Sequence, residues 1–294
     1  MCLNYIHCDV FAPRPYTGNS LAVFVDPPEL TTSQMLQISQ ELRHFETIFV
    51  WSDQAANAFR ARIFDLSEEL PFAGHPILGA ACAMHARSEN SAGTQTWNVE
   101  LPGSRTVTVD VRRTGIPGVN RYEGSLDQGR PEFLTELSTE QIAWFANAFS
   151  LNLADIAPYR PQVISTGLRY LIIPVASNLK DARICVPNLE DRLEQIGADY
   201  AYLFDPQTFE GRHWNNDGVL EDLATGSAAG PVGCFAVKHG LALTSGPIKL
   251  RQGHFINRPS ELEVTVTGTR DDITGVHVAG SVSIMGQGTL FKLP

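Results

Sequence analysis

EELPFAGHPILGAACAM (residues 68–84) and LEDLATGSAAGPVGCFA (residues 220–236) carry the strongest structural signal in the chain. Set one under the other, Glu69 falls on Glu221, Gly74 on Gly226, Ala81 on Gly233 and Cys82 on Cys234, all 152 positions apart. In both, an acidic residue precedes a tight glycine turn that opens a helix of small residues. A second pair has nearly the same spacing: Thr17-Gly18 ahead of LAVFV and Thr166-Gly167 ahead of YLIIPV lie 149 positions apart. Two agreeing spacings point to an internal duplication. The 294 residues then form two halves of domain size. Such a chain is expected to place its site in the cleft between the halves, because ligand pockets favour domain interfaces. Two helix N-termini there, with unpaired N–H groups and positive dipole ends, suit a carboxylate.

Around these two strings the pattern reads as α/β. Tyr5–Phe11, Leu21–Val25, Glu46–Trp51, Ala58–Phe64, Thr106–Val111 and Tyr200–Phe204 have strand composition, and Val163–Val175 reads as strand, turn, strand. Capping boxes at Thr31–Gln34 and Ser138–Gln141 open two helices, the second near 139–149. Ala73–Arg87, Leu189–Ile196 and Thr225–His239 are the other helices, the last closed by Gly240. Strands are expected at 247–251, 261–267, 274–279 and 281–285, and the Gly-containing stretch Gly115–Gln128 as a linker. The expected domains are 1–120, completed by a C-terminal strand at about 280–294, and 128–279.

Composition removes several classes of function. Hydrophobic residues make up 43% and charged residues 18%, enough for a sizeable core. The net charge of −10 repels phosphate backbones, so no nucleic-acid partner is expected. No apolar run reaches the ~18 residues of a membrane span. The N-terminus MCLNYIHCDVF has neither the basic nor the apolar region of a signal peptide. Five cysteines, an odd number without a CxxC pair, speak against a disulfide framework and for reduced thiols in a cytoplasmic protein. The histidines show no HExxH or other ligand spacing, so no metal site is expected. GxGxxG, P-loop and GxSxG strings are also missing, against nucleotide cofactors and a serine hydrolase.

Three residues could carry chemistry. Glu46 lies in the apolar string RHFETIFVW. Desolvation there would raise its pKa and suit it to general acid/base work, whereas an exposed Glu at a strand start is the bland reading. His75 opens the first small-residue helix, where it could donate to a substrate oxygen or simply line the turn. Asp222 precedes the second turn, and Thr225, Gly226 and Ser227 follow it. That cluster is either a carboxylate cradle or an ordinary set of helix caps.

ELPFAGHPILGA (69–80), EDLATGSAAG (221–230) and FETIFV (45–50) together resemble the PhzF-like phenazine-biosynthesis isomerase family. DVFAPRPYTGNSLAVF (9–24) and RQGHFINRPSELEV (251–264) extend the resemblance over nearly the whole chain, in order. It implies the diaminopimelate-epimerase-like fold: two pseudosymmetric α/β domains, each with strands wrapped around a central helix. In the epimerases of that superfamily a cysteine opens each central helix. The matching positions here are Ala73 and Thr225, so neither thiol is present. The resemblance further implies a cofactor-independent isomerase, as for trans-2,3-dihydro-3-hydroxyanthranilate. Glu46 would be the acid/base, with His75 and Asp222 near the substrate's polar groups. Gly74, Gly226 and Ser227 would hold the substrate carboxylate, and Thr225 and Asn19 complete the expected binding set. The expected partners are a small anionic substrate and a second copy in a homodimer. Ile77, Leu223 and Phe45 depart from the family pattern, beside these residues, and bear on substrate choice. The alternatives are an amino- or imino-acid epimerase on the same fold and a non-catalytic ligand-binding member.

Overall fold

The computed structural model describes residues 2–53, 57–88, 93–114 and 120–294. In chain order the elements are β1 (Leu3–Val10), β2 (Asn19–Val25), α1 (Thr32–Leu42), β3 (Glu46–Ser52), β4 (Ala58–Phe64), β5 (Glu69–Leu70), α2 (Gly74–Arg87), β6 (Thr94–Leu101), β7 (Arg105–Arg113), β8 (Arg121–Gly129) and β9 (Glu132–Glu136). They continue with α3 (Thr139–Ala148), β10 (Gln162–Ser165), β11 (Arg169–Pro174), α4 (Leu189–Gln195), β12 (Tyr200–Phe204), β13 (Glu210–Arg212), α5 (Gly226–Lys238), β14 (Ile248–Gln252), β15 (Ser260–Gly268) and β16 (Ile273–Leu290). The chain divides into two compact units, residues 1–127 with 279–294 and residues 128–278. Among the described residues no helix is long and apolar enough to cross a membrane.

In the first unit β1 pairs antiparallel with β2 and with β16, β2 runs parallel to β3, β3 antiparallel to β4, β4 parallel to β6, and β6 antiparallel to β7. In the second unit β10 pairs antiparallel with β9 and with β11. There β11 runs parallel to β12, β12 antiparallel to β13, β13 parallel to β14, and β14 antiparallel to β15. The same series of strand directions occurs twice. The duplication read from two glycine turns is thus written in the backbone pairing as well.

Each unit buries one helix. Every residue of α2 from Gly74 to His85 is buried, and so is every residue of α5 from Gly226 to Val237. A helix apolar on all sides must be enclosed. Accordingly α2 packs on β1, β2, β3, β6 and β7, and α5 on β10, β11 and β15. Small residues let the strands approach. A Cβ at Gly79 would lie 2.5 Å from Leu21, and one at Gly233 would lie 2.5 Å from Val264. Helices α1 and α3 begin with the capping boxes at Thr31 and Ser138. Phe24 and Phe49 stack at 4.8 Å beneath α1, where Met35 and Ile38 are buried.

Two sequence expectations are corrected. Of the stretch Gly115–Gln128, residues 115–119 lie outside the described residues, and the remainder forms β8 rather than a linker. Its side chains alternate inward and outward, and Gly124 is a packing glycine: a Cβ there would come within 2.8 Å of Leu78. The two strands expected at 274–279 and 281–285 are one, β16, which runs on through Gly280. The short or polar strands β5, β6, β9 and β13 were not anticipated. β13 has only three residues and its sequence, EGR, has no β preference.

Candidate active site

In the first unit three expected residues meet. Glu46 is the first residue of β3, opposite Leu21 in the parallel register of β2, and is only 7% exposed. His75 follows Gly74 in the first turn of α2, and its Nε2 lies 3.2 Å from Glu46 Oε2. Asn19, the first residue of β2 and fully buried, places Nδ2 3.4 Å from His75 Nδ1. With the Asn19 amide nitrogen turned to the ring, His75 Nδ1 is an acceptor. The ring proton then sits on Nε2, facing the carboxylate. Burial, with His44 nearby as the smaller cause, lowers the His75 pKa to about 3. The imidazole is therefore neutral at pH 7. Glu46 Oε2 therefore lies close to a neutral imidazole rather than a cation, without a hydrogen bond between the two atoms.

Ala73 is the N-cap of α2 and has no side chain able to cap it. The N-terminal N–H groups of that helix are an anion-favouring end. The N-cap of α5 is Thr225, a good capping type, yet its hydroxyl makes no cap bond. It donates instead to Asp222 Oδ2 at 2.6 Å. Gly226 and Ser227 open this helix, and Ser227 Oγ lies 2.7 Å from the Tyr170 hydroxyl. Asp222 is buried; its backbone N–H bonds the His213 carbonyl at 2.9 Å. Ahead of it, Arg212 grips Glu221 with two bonds of 2.8 and 2.7 Å, donates to the carbonyls of Leu179, Lys180 and Ala182, and lies over the Trp214 ring. This buried rivet fixes the approach to Asp222.

Sequence reading missed four residues of the second unit. Tyr170 touches Ser227, and its ring lies 5.6 Å from Tyr200. His213 lies 5.7 Å from Tyr170 and 5.6 Å from Tyr200. Its Nδ1 donates to the Ala201 carbonyl at 2.9 Å. Burial lowers its pKa against the opposing pull of Asp222. Gln252 bonds Thr225 and Asp222. The available signal was a polar residue inside an apolar or turn-forming string: Tyr170 in YLIIPV and Gln252 in RQGHF.

Cys82 and Cys234 are buried in the interiors of α2 and α5. Burial pushes the Cys234 thiol up to about 12 and the Cys82 thiol well above its usual range. Neither is a proton carrier at neutral pH. Among the described residues no group of three or more His, Cys, Asp or Glu is placed to hold a metal ion.

Two units of repeated strand order, each enclosing a helix of small residues, define a mixed α/β protein of the diaminopimelate-epimerase-like class. Within it the chain belongs to the phenazine biosynthesis-like (PhzC/PhzF) protein family, whose model matches residues 8–288. It is 30% identical to the trans-2,3-dihydro-3-hydroxyanthranilate isomerase of Pseudomonas fluorescens, over 98% of this chain and 99% of that one. It is 31% identical to an uncharacterized isomerase of Salmonella typhimurium, over 95% of each. Among solved structures, a protein of Pseudomonas aeruginosa described as a predicted epimerase matches with a TM-score of 0.91 at 43% identity, over 99% of both chains. A hydroxyproline epimerase from Agrobacterium vitis shares the fold at a TM-score of 0.62 and 11% identity, over 98% of this chain and 92% of that one.

Proposed function

We propose that this protein is a cofactor-independent isomerase that shifts a proton on a small cyclic or conjugated carboxylic acid, with Glu46 as its single acid/base. The carrying observation is the buried Glu46 carboxylate, held 3.2 Å from the Nε2 of a neutral His75. Glu46 takes the proton from the carbon that bears a hydroxyl. The electron pair moves into the conjugated system, and the same carboxyl returns the proton at a second carbon on the same face, giving an enol; loss of its O–H proton to solvent and protonation of its double bond at carbon then give the ketone tautomer. One carboxylate suffices because the proton never changes faces. The single N–H of His75, on Nε2 beside the carboxylate, is placed to donate to a substrate oxygen. The first N–H groups of α2 and α5, at Gly74 and Gly226, and the Ser227 and Thr225 hydroxyls take part in binding the substrate's polar groups with Asp222 and Asn19. The isomerase names of the relatives support this reading. A homodimer, on the strength of the family resemblance, and a cytoplasmic location, from the unpaired cysteines, are part of the same proposal.

A two-thiol epimerase is disfavoured: Ala73 and Thr225 occupy the two N-caps. The test is turnover of trans-2,3-dihydro-3-hydroxyanthranilate, followed by NMR in deuterium oxide. The wild-type protein is expected to isomerise it and the Glu46→Gln variant to bind it without turnover. Near-wild-type turnover by Glu46→Gln would falsify the role of Glu46, and an inert wild-type protein would remove this substrate.

A further inference from the structure

Gln252 ends β14 and is fully buried. All four hydrogen-bonding positions of its amide are used. Oε1 accepts from the Tyr202 hydroxyl and from the Thr225 N–H, both at 3.0 Å. Nε2 donates to the Asp222 carbonyl at 2.8 Å and to Thr225 Oγ1 at 3.0 Å. The opposite amide orientation would set an NH2 group against the Thr225 N–H, donor to donor, so the orientation is fixed. An amide oxygen only accepts, so Tyr202 must donate. An amide nitrogen only donates, so Thr225 Oγ1 must accept there, and its own proton is left for Asp222 Oδ2 at 2.6 Å. The chain runs one way: Tyr202 to Gln252 to Thr225 to the Asp222 carboxylate. Local sequence makes room for it, since a Cβ at Gly211 would collide with the Tyr202 hydroxyl. The Ser260 hydroxyl pins the same turn through the Leu223 carbonyl at 2.8 Å.

We infer that Gln252 is a positioning residue of the isomerase site: by directing the Thr225 hydroxyl at Asp222 Oδ2, it presents the Asp222 carboxylate in one orientation, as an acceptor for a donor group of the substrate. The inference rests on the proposed contact of Asp222 with substrate. It explains why a threonine at a helix N-cap gives up its capping bond.

Gln252→Glu keeps the shape but sets an acceptor where Nε2 donates, so the Thr225 proton is drawn away from Asp222. We expect turnover to fall about 10- to 100-fold, the cost of losing one oriented polar contact. Thr225→Val should do the same, and the double variant should be no slower than the slower single one, because both break one chain. Losses that multiply, or that follow the fall in Tm, would mean a merely structural role and overturn the inference. A second measurement needs no substrate. The Thr225 hydroxyl proton, buried between two partners, should give a slowly exchanging NMR signal that Gln252→Glu abolishes. Its absence from the wild-type protein would refute the one-way chain. Its presence in a protein inert towards trans-2,3-dihydro-3-hydroxyanthranilate would place the failure in the functional reading alone.

Discussion

The turn at Gly74 and the turn at Gly226 are copies of one structure with different chemistry. In the first unit Leu21 pairs with Glu46 across β2 and β3; in the second Tyr170 pairs with Tyr200 across β11 and β12. The duplication spacing places Tyr170 on Leu21, so the counterpart of Glu46 is Tyr200. Likewise His75 corresponds to Ser227 and Asp222 to Leu70. One copy kept a base with a neutral histidine beside it. The other replaced both with hydroxyls and aromatic rings and built a saturated hydrogen-bond frame around an aspartate. A two-base epimerase needs a second proton carrier, and the position that the duplication pairs with Glu46 holds the Tyr200 phenol rather than a second carboxylate. On the proposed reading the proton carrier therefore belongs to the first copy.

The sharpest break of this asymmetry is in the first copy. Glu46→Gln should cost about 10²- to 10⁴-fold in kcat, the usual range for a positioned acid/base, while KM stays within about threefold. Tyr200→Phe, at the equivalent place, should leave kcat within about threefold, because on the proposed reading Glu46 alone carries the proton. Steady-state kinetics on the two variants decides; equal losses would end the division of labour.

Most of the fold was legible because its two signals were local and doubled: a glycine turn and a run of small residues, repeated at one spacing. His75 and Asp222 could be named because they sit in those strings, and Glu46 because it is a carboxylate inside the apolar string RHFETIFVW. Tyr170, Tyr200, His213 and Gln252 could not, since their roles arise from strand register and from bonds across the second unit. Gln252 and Thr225 are 27 positions apart, and no periodicity links them. β8 was misread because Gly124, a residue needed for close approach to Leu78, has the same one-letter signal as a flexible linker.

His75 allows a second test of the asymmetry, through pH. Its folded-state pKa lies near 3 and its usual value at 6.5. As the pH falls below 6.5 the unfolded chain takes up a proton that the folded state refuses, so stability drops through that window and the loss levels off near pH 3. Between pH 6.5 and 5 the expected cost is about 2 kcal/mol. Urea unfolding of the wild-type protein and of His75→Gln checks this. The variant should lose that much of the pH dependence, whatever its stability at pH 7. An unchanged slope would mean that folding leaves the His75 pKa where it is in the unfolded chain, and a slope of the opposite sign would mean that His75 is protonated in the fold and paired with Glu46.

The smallest effect belongs to the second copy. Tyr170 and Ser227 share one hydrogen bond between buried hydroxyls at 2.7 Å. Tyr170→Phe removes the phenol oxygen and leaves the ring among Tyr200 and His213. The Ser227 hydroxyl loses its fixed orientation but not its place on the helix. Binding should weaken by about 1 kcal/mol, a roughly fivefold rise in KM, with kcat nearly unchanged. Ser227→Ala should match it, and the double variant should add nothing, because the two hydroxyls act as one contact. A fall in kcat instead of a rise in KM would show that the hydroxyl pair works on the moving proton, and the frame and the acid/base would then no longer be separate.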